Sequence, residues 1–181
     1  MKSQDLVRLI PLLCARCQAP IPAHPDEVAW VCQQCGQGLL IDGQTGARLQ
    51  DFFFSDRLQP GLTGRPFWVS NGRVVIQRRE TYHGDEGRAA NQFWSAPRLF
   101  YIPAWAATLD EIVSTGVDLL KNPAALQAGS PAPFLPVVTL PVDIQAVAEF
   151  MILSIEAERR DALKRFDFQA TLEPPHLWVL P

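Results

Sequence analysis

Residues 14–35 read CARCQAPIPAHPDEVAWVCQQC and hold all four cysteines of the 181-residue chain. The cysteines form two pairs, each with two residues between its members, and fourteen residues separate the pairs. Two thiolates at this spacing can converge on one ion from a tight turn, and two such turns supply the four sulfurs of a tetrahedral zinc site. The sequence therefore predicts one structural zinc ion per chain, held by Cys14, Cys17, Cys32 and Cys35.

The residues around the second pair indicate how the chain enters and leaves it. Residues 28–32 alternate as in a strand that runs into the pair, and Gly36 follows it, where a positive φ is often needed. Over about residues 12–43 the chain resembles the zinc ribbons of bacterial and archaeal proteins, although neither cysteine turn contains the proline that is common there. The resemblance implies a fold and a metal, and no particular activity.

Three alternative interpretations of these residues are less well supported. A thioredoxin-like redox pair would need one CxxC beside a βαβ pattern, and two structural disulfides would need an exported protein. His24 lies between the pairs and could replace one cysteine as a ligand, but its proline-rich surroundings predict an exposed turn. Four cysteines close the coordination sphere, whereas a catalytic zinc keeps one position open, so no chemistry is expected at the metal.

The composition is that of a globular protein, with 48% hydrophobic and 19% charged residues. The net charge of −3 is unevenly spread, since residues 51–98 carry +2 and residues 99–181 carry −5. A dedicated nucleic-acid binder usually shows a clear basic excess, which is small here. No segment is long enough to cross a membrane. Arg8 and Pro11 interrupt the apolar run at residues 6–14, so no export signal is expected, and the paired cysteines favour the cytoplasm.

The sequence predicts three segments along the chain: a ribbon with its lead-in over residues 1–50, a linker over 51–65, and an α+β domain over 66–181. This domain is expected to open with a hairpin around Asn71-Gly72, because that pair favours a two-residue type I′ turn. The two strands of the hairpin would be residues 67–70 and 73–82.

The α+β domain is predicted to contain about six strands and two helices, in a mixed or antiparallel sheet. Thr108 and Glu111 form a capping box at the start of the first helix, which ends at Asn122-Pro123. The second helix is expected over about residues 141–163, where apolar side chains recur with helical spacing. Further strands are expected over residues 98–105, 134–140, 165–173 and 177–180, with a polar loop over 83–92.

The first hypothesis for function is a non-enzymatic interaction or adaptor protein, because no catalytic motif is present and no catalytic or further cofactor-binding residues can be named. The second helix carries Phe150 and Leu153, which widen its apolar stripe to a second face. A helix that is apolar on two faces is either central or covered by a partner. Phe150 and Leu153 are therefore the predicted interface with a protein partner or with a second copy of the chain.

The alternative hypothesis is a nucleic-acid-associated factor that uses the ribbon and the arginine-rich hairpin. Strands with exposed arginines and aromatic rings can bind single strands by charge and stacking. The candidate contacts are Arg73, Arg78, Arg79 and Trp68.

An enzyme of unrecognised type is the third hypothesis, and it would require a deep pocket with convergent polar groups. The acidic residues offer little support for it. His83, Asp85 and Glu86 are interpreted as part of a solvated loop, and residues 156–161 as a charged helix end without paired catalytic carboxylates.

Overall fold

A computed structural model of the protein describes residues 10–181. The chain forms two compact units, and the boundary between them falls between Asp51 and Phe52. One contains a three-stranded sheet, and the other contains a five-stranded sheet with three helices. The predicted α+β class is therefore confirmed. In the described part of the chain, no helix combines the length and the apolar character needed to cross a bilayer.

The first unit contains strands β1 (Ala29–Val31), β2 (Gly38–Asp42) and β3 (Gly46–Leu49), which form an antiparallel sheet in that order. Trp30 of β1 lies opposite Leu39 of β2, and both side chains are buried against the cysteines. This arrangement is consistent with the predicted ribbon.

The turn between β2 and β3 is fixed by local hydrogen bonds. The Asp42 Oδ1 atom accepts the backbone N–H groups of Gln44 at 2.9 Å and Thr45 at 2.8 Å. Gly46 then adopts a φ of +85°, and a Cβ atom there would lie 2.7 Å from the carbonyl oxygen of Pro11. Only glycine satisfies both conditions without strain.

The second unit is organised around one long strand, β5 (Arg65–Thr81). The predicted hairpin is wrong, because Asn71 and Gly72 lie within this strand and pair with its neighbours. A Cβ atom on Gly72 would lie 2.6 Å from the Leu172 side chain and 2.7 Å from the Phe100 ring. The glycine therefore serves a close side-chain approach, and not a turn.

Four shorter strands complete the second sheet: β4 (Phe52–Phe54), β6 (Arg98–Pro103), β7 (Leu163–Leu172) and β8 (His176–Leu180). Strands β6, β7 and β8 all pair with β5 in antiparallel orientation, and β4 pairs with β8 in parallel. The sheet is therefore mixed, which is one of the two arrangements predicted, and it has five strands instead of about six. Strand β4 lies in the segment for which the sequence predicts a linker.

The helices are α1 (Gly87–Trp94), α2 (Leu109–Lys121) and α3 (Ile144–Ala157). The capping box at the start of α2 is confirmed: Thr108 Oγ1 accepts the backbone N–H of Glu111, and the Glu111 carboxylate accepts the backbone N–H of Thr108. Helix α2 packs on β6 and α3, and α3 packs on β6 and β7.

Three local predictions differ from the structure. The polar loop predicted over 83–92 contains most of α1, whose contact with the core depends on Ala90 and Trp94 alone. The strand predicted over 134–140 is irregular and makes only isolated contacts, such as a bridge from Phe134 to Gly64. Helix α3 is shorter than the predicted 141–163 at both ends, because residues 141–143 form a turn before it and residues 158–162 turn back before β7 begins.

Candidate metal centre

The two cysteine pairs lie in turns of the same geometry. In the first turn, the Cys14 N–H donates to Ala19 O at 2.8 Å and the Gln18 N–H donates to Cys14 O at 2.9 Å. In the second turn, the corresponding bonds are Cys32 N–H to Gln37 O and Gly36 N–H to Cys32 O, both at 2.8 Å. Gln18 and Gly36 both have positive φ, at 61° and 71°. The CxxC spacing thus produces the same turn twice.

The four sulfurs converge on one point. Cys14 Sγ lies 3.7 Å from Cys35 Sγ, and Cys17 Sγ lies 3.6 Å from Cys32 Sγ. All four sulfurs are within 4.8 Å of one another. A tetrahedron of sulfurs bonded to zinc at about 2.3 Å has edges of about 3.8 Å. The cluster therefore fits a tetrahedral metal ion, and a set of four thiolate donors favours zinc.

Backbone N–H groups stabilise negative charge on two of the sulfurs. The amides of Cys17 and Arg16 lower the pKa of the Cys14 thiol to about 6, although burial opposes the shift. The amides of Cys35 and Gln34 likewise lower the pKa of the Cys32 thiol. Hydrogen bonds to the charged form favour that form, so each turn prepares its first cysteine to bind as a thiolate.

The second cysteine of the first turn behaves differently. The amide of Ala19 lowers the pKa of the Cys17 thiol, but burial and the three neighbouring sulfurs outweigh it and raise the pKa to about 12. Several thiolates at this separation repel one another, and a divalent cation between them offsets that repulsion. The cluster thus has the electrostatics of a site in which metal binding and deprotonation occur together.

The other candidate ligands lie outside this cluster. His24 is exposed, and its backbone N–H donates to the Glu27 carboxylate. His83 is also exposed, and the Asp85 carboxylate accepts the backbone N–H of Gly87. Among residues 10–181, the four cysteines are the one group of three or more potential ligands close enough to share an ion.

The residues proposed to contact nucleic acid do not form one surface. Trp68 is fully buried, and its Nε1–H donates to Thr139 O at 2.7 Å. Arg79 is only 7% exposed and faces inward, whereas Arg78 is 51% exposed and pairs with Glu80. Arg73 is exposed on β5. Trp68 and Arg79 cannot reach a ligand in this fold, because both faces of the sheet are covered at Trp68 and Arg79 is held by carboxylates.

The predicted interface residues do lie at the surface. Phe150 is 53% exposed and Leu153 is 40% exposed, on the side of α3 that faces away from the sheet. Phe150 also lines an open groove of about 300 Å³ between α2 and α3, together with Leu109 and Val113. Within the second unit, α3 therefore has apolar side chains on both its buried and its exposed sides.

The structure also contains a buried ionic cluster that the sequence did not predict. The Arg79 guanidinium donates to Asp161 Oδ2 at 2.5 Å, to Asp161 Oδ1 at 2.8 Å and to Glu156 Oε2 at 2.9 Å. Glu156 Oε1 accepts the indole N–H of Trp94 and the Arg159 guanidinium, both at 2.9 Å. We call these five residues the Arg79 cluster. Glu156 and Asp161, for which the sequence predicts a charged helix end, are thus buried ion-pair partners.

The electrostatics of the Arg79 cluster are those of a structural element. Hydrogen bonds from Arg79 lower the pKa of Asp161 well below its usual range despite its burial, and the same bonds raise the pKa of Arg79. Asp161 also accepts the backbone N–H of Glu86 at 2.7 Å, which attaches the start of α1 to the cluster. In the described part of the chain, every buried side-chain polar atom has a hydrogen-bond partner. The cluster therefore joins α1, α3 and β5.

Little in the sequence could have identified the Arg79 cluster. Arg78 and Arg79 are adjacent and chemically identical, but Arg78 pairs with nearby Glu80, whereas the acidic partners of Arg79 lie far away in the sequence. The face toward which each arginine points is decided by the bulge that shifts the register of β5 between Ile76 and Arg78. That shift is visible only once the partner strand is known.

Comparison of the chain with protein-family models, with curated proteins and with solved structures found no match in any of the three.

Proposed function

We propose that this chain is a protein-interaction module whose ribbon is held by one structural zinc ion and whose second unit offers the exposed side of α3 to a protein partner. The observation that carries the zinc assignment is the convergence of the four cysteine sulfurs within 4.8 Å. Cations that prefer oxygen ligands bind weakly to four thiolates, whereas zinc binds four thiolates in closed structural sites.

The chemistry of the site favours a structural role over a catalytic one. A catalytic zinc needs an open position for water or substrate, and four cysteine ligands fill the tetrahedron. The cysteines are also packed against Trp30, Leu39 and Ala47, which form the core of the ribbon. Since this core is small, the metal is expected to supply much of the free energy that keeps the ribbon folded.

The interaction half of the proposal is supported by the surface of α3. Single exposed apolar side chains are ordinary on protein surfaces, but neighbouring half-exposed large ones often mark contact sites. Phe150 and Leu153 lie one turn apart on the same helix, and both are at least 40% exposed.

Native mass spectrometry at neutral pH tests the zinc assignment and reports the subunit number in the same experiment. We expect one zinc ion per chain in the wild type and none in the Cys32→Ser variant. The matched control is His24→Ala, because His24 lies between the cysteine pairs but is exposed and should retain full zinc. A chain without metal but with oxidised cysteines, or a chain that contains iron, would contradict the proposal.

A further inference from the structure

The groove between α2 and α3 has an apolar interior. Leu109 and Phe150 are 51% and 53% exposed, and Val113 lies in the same groove. Two hydroxyl side chains, Ser114 and Ser154, also line it. Helix α2 has 13 residues and is therefore about 20 Å long, which suits a helical segment of three to four turns laid along it.

Both charged side chains in the groove lining are acidic, and the chain segment that contains the two helices has an excess of acidic residues. Residues 109–158, which span both helices, contain seven acidic side chains and a single basic one. One of the acids, Glu156, is buried with Arg79, and the single base, Lys121, pairs with Glu158 at 2.9 Å. Asp110 and Glu158 lie directly in the groove lining. The apolar interior is thus bordered by carboxylates.

We infer that this groove binds a basic amphipathic helical segment of a partner protein. The inference rests on the proposed interaction role and names the chemistry of the partner. Apolar side chains of such a helix would cover Leu109 and Phe150, and its lysines or arginines would face Asp110 and Glu158.

Charge also decides against a second copy of the chain as the occupant. A two-fold dimer through this groove would place two acidic helical layers against each other. Like charges that face each other oppose association, whereas a basic helix is attracted. The charge complementarity therefore favours a different protein.

The test uses two synthetic peptides of about 15 residues, four helical turns, with leucine at positions i, i+3, i+4 and i+7. One has lysine at the remaining positions and the other has glutamate. Each is titrated into the ¹⁵N-labelled, zinc-loaded full chain while amide chemical shifts are recorded. We expect the lysine peptide to shift the amides of α2 and α3, with affinity falling as salt is raised from about 50 to about 500 mM, and the glutamate peptide to cause no shift.

Two variants locate the binding surface. Phe150→Ser should weaken binding of the lysine peptide by about tenfold or more. The matched control is Val75→Ser, because Val75 is 52% exposed on β5 and has no part in the groove. Its affinity should equal that of the wild type. The double variant Asp110→Asn with Glu158→Gln should reduce both the affinity and its dependence on salt.

Several outcomes would overturn the inference. These are no binding of the lysine peptide, equal binding of both peptides, or shifts that lie outside α2 and α3. A dimer that dissociates on Phe150→Ser would also overturn it, because the occupant would then be a second copy, although the proposed interaction role would stand. Absence of zinc would refute the metal assignment and leave the result for the groove unaffected.

Discussion

Replacement of Arg79 by methionine tests the Arg79 cluster most directly. The substitution removes three hydrogen bonds and leaves Asp161 with only the Glu86 amide as a partner, while Glu156 keeps Trp94 and Arg159. Removal of one member of a buried ion pair costs about 3–5 kcal/mol, because it leaves a buried charge without compensation. We expect Arg79→Met to lower the free energy of unfolding of the second unit by that amount.

The adjacent arginine supplies a matched control. Arg78 is 51% exposed and pairs with Glu80 at the surface, and exposed pairs contribute about 0–1 kcal/mol. Arg78→Met should therefore leave the stability nearly unchanged. The two variants have the same composition and alter neighbouring positions on one strand, so a difference between them reports the burial of Arg79 and its two carboxylate partners.

Urea unfolding at pH 7, followed through the amide signals of β5 and β7, measures the second unit separately from the ribbon. With a slope of about 1–3 kcal/mol per molar urea, the Arg79→Met midpoint should fall by about 2 M. Adding Asp161→Asn to Arg79→Met should recover part of the loss, since it removes the uncompensated charge. Equal, small effects of Arg78→Met and Arg79→Met would refute the reasoning.

The pH dependence of stability provides an independent check, because acidification should affect the wild type and Arg79→Met in opposite directions. The pKa of Asp161 is lowered in the folded state by its bonds to Arg79. Its contribution to stability is therefore complete above the unfolded pKa of about 4 and is lost as the pH falls through the lower folded pKa. In Arg79→Met the buried carboxyl has no cation, so burial raises its pKa and stability should increase from pH 7 toward pH 5. A decrease over that interval would contradict this account.

Three further predictions concern the metal centre and the packing of α1. Removal of zinc by a strong chelator should unfold the ribbon and leave the second unit folded, as judged by amide spectra; loss of both units in a single transition would contradict it. Gly46→Ala should destabilise the ribbon by about 1–3 kcal/mol, because its φ is +85° and the new methyl would lie 2.7 Å from Pro11 O. The control is Gly43→Ala, because a Cβ atom there would meet nothing within 4 Å. In a zinc-competition assay of both variants, Gly43→Ala should behave as the wild type. Trp94→Phe should cost about 1.5–3 kcal/mol in urea unfolding, because the indole N–H donates to the charged Glu156 carboxylate; a cost near zero would show that this bond contributes nothing.

Local features were predicted well, because short-range geometry decides them. The CxxC pairs fix their own turns through bonds between residues four or five apart, so the sequence identifies the converging cysteines without knowledge of the rest of the fold. The capping box at Thr108 and Glu111 and the alternating pattern of β7 are local in the same sense. The α+β class follows from these patterns together.

Features that depend on distant neighbours were missed. Asn71-Gly72 has the composition of a type I′ turn, but strands from residues near 100 and 172 pair with it on either side, and the backbone hydrogen bonds gained there outweigh the local preference. Helix α1 is short, with Ala90 and Trp94 as its buried residues, and its start is held by Asp161, which is distant in the sequence.

The sequence by itself determined which four cysteines converge and the fold class, because both follow from local spacing and periodicity. Tertiary structure alone decided which arginine is buried and which is exposed. The physical reason is that burial depends on the register between strands that are far apart in sequence. A shift of one position turns Arg79 inward and leaves Arg78 in solvent.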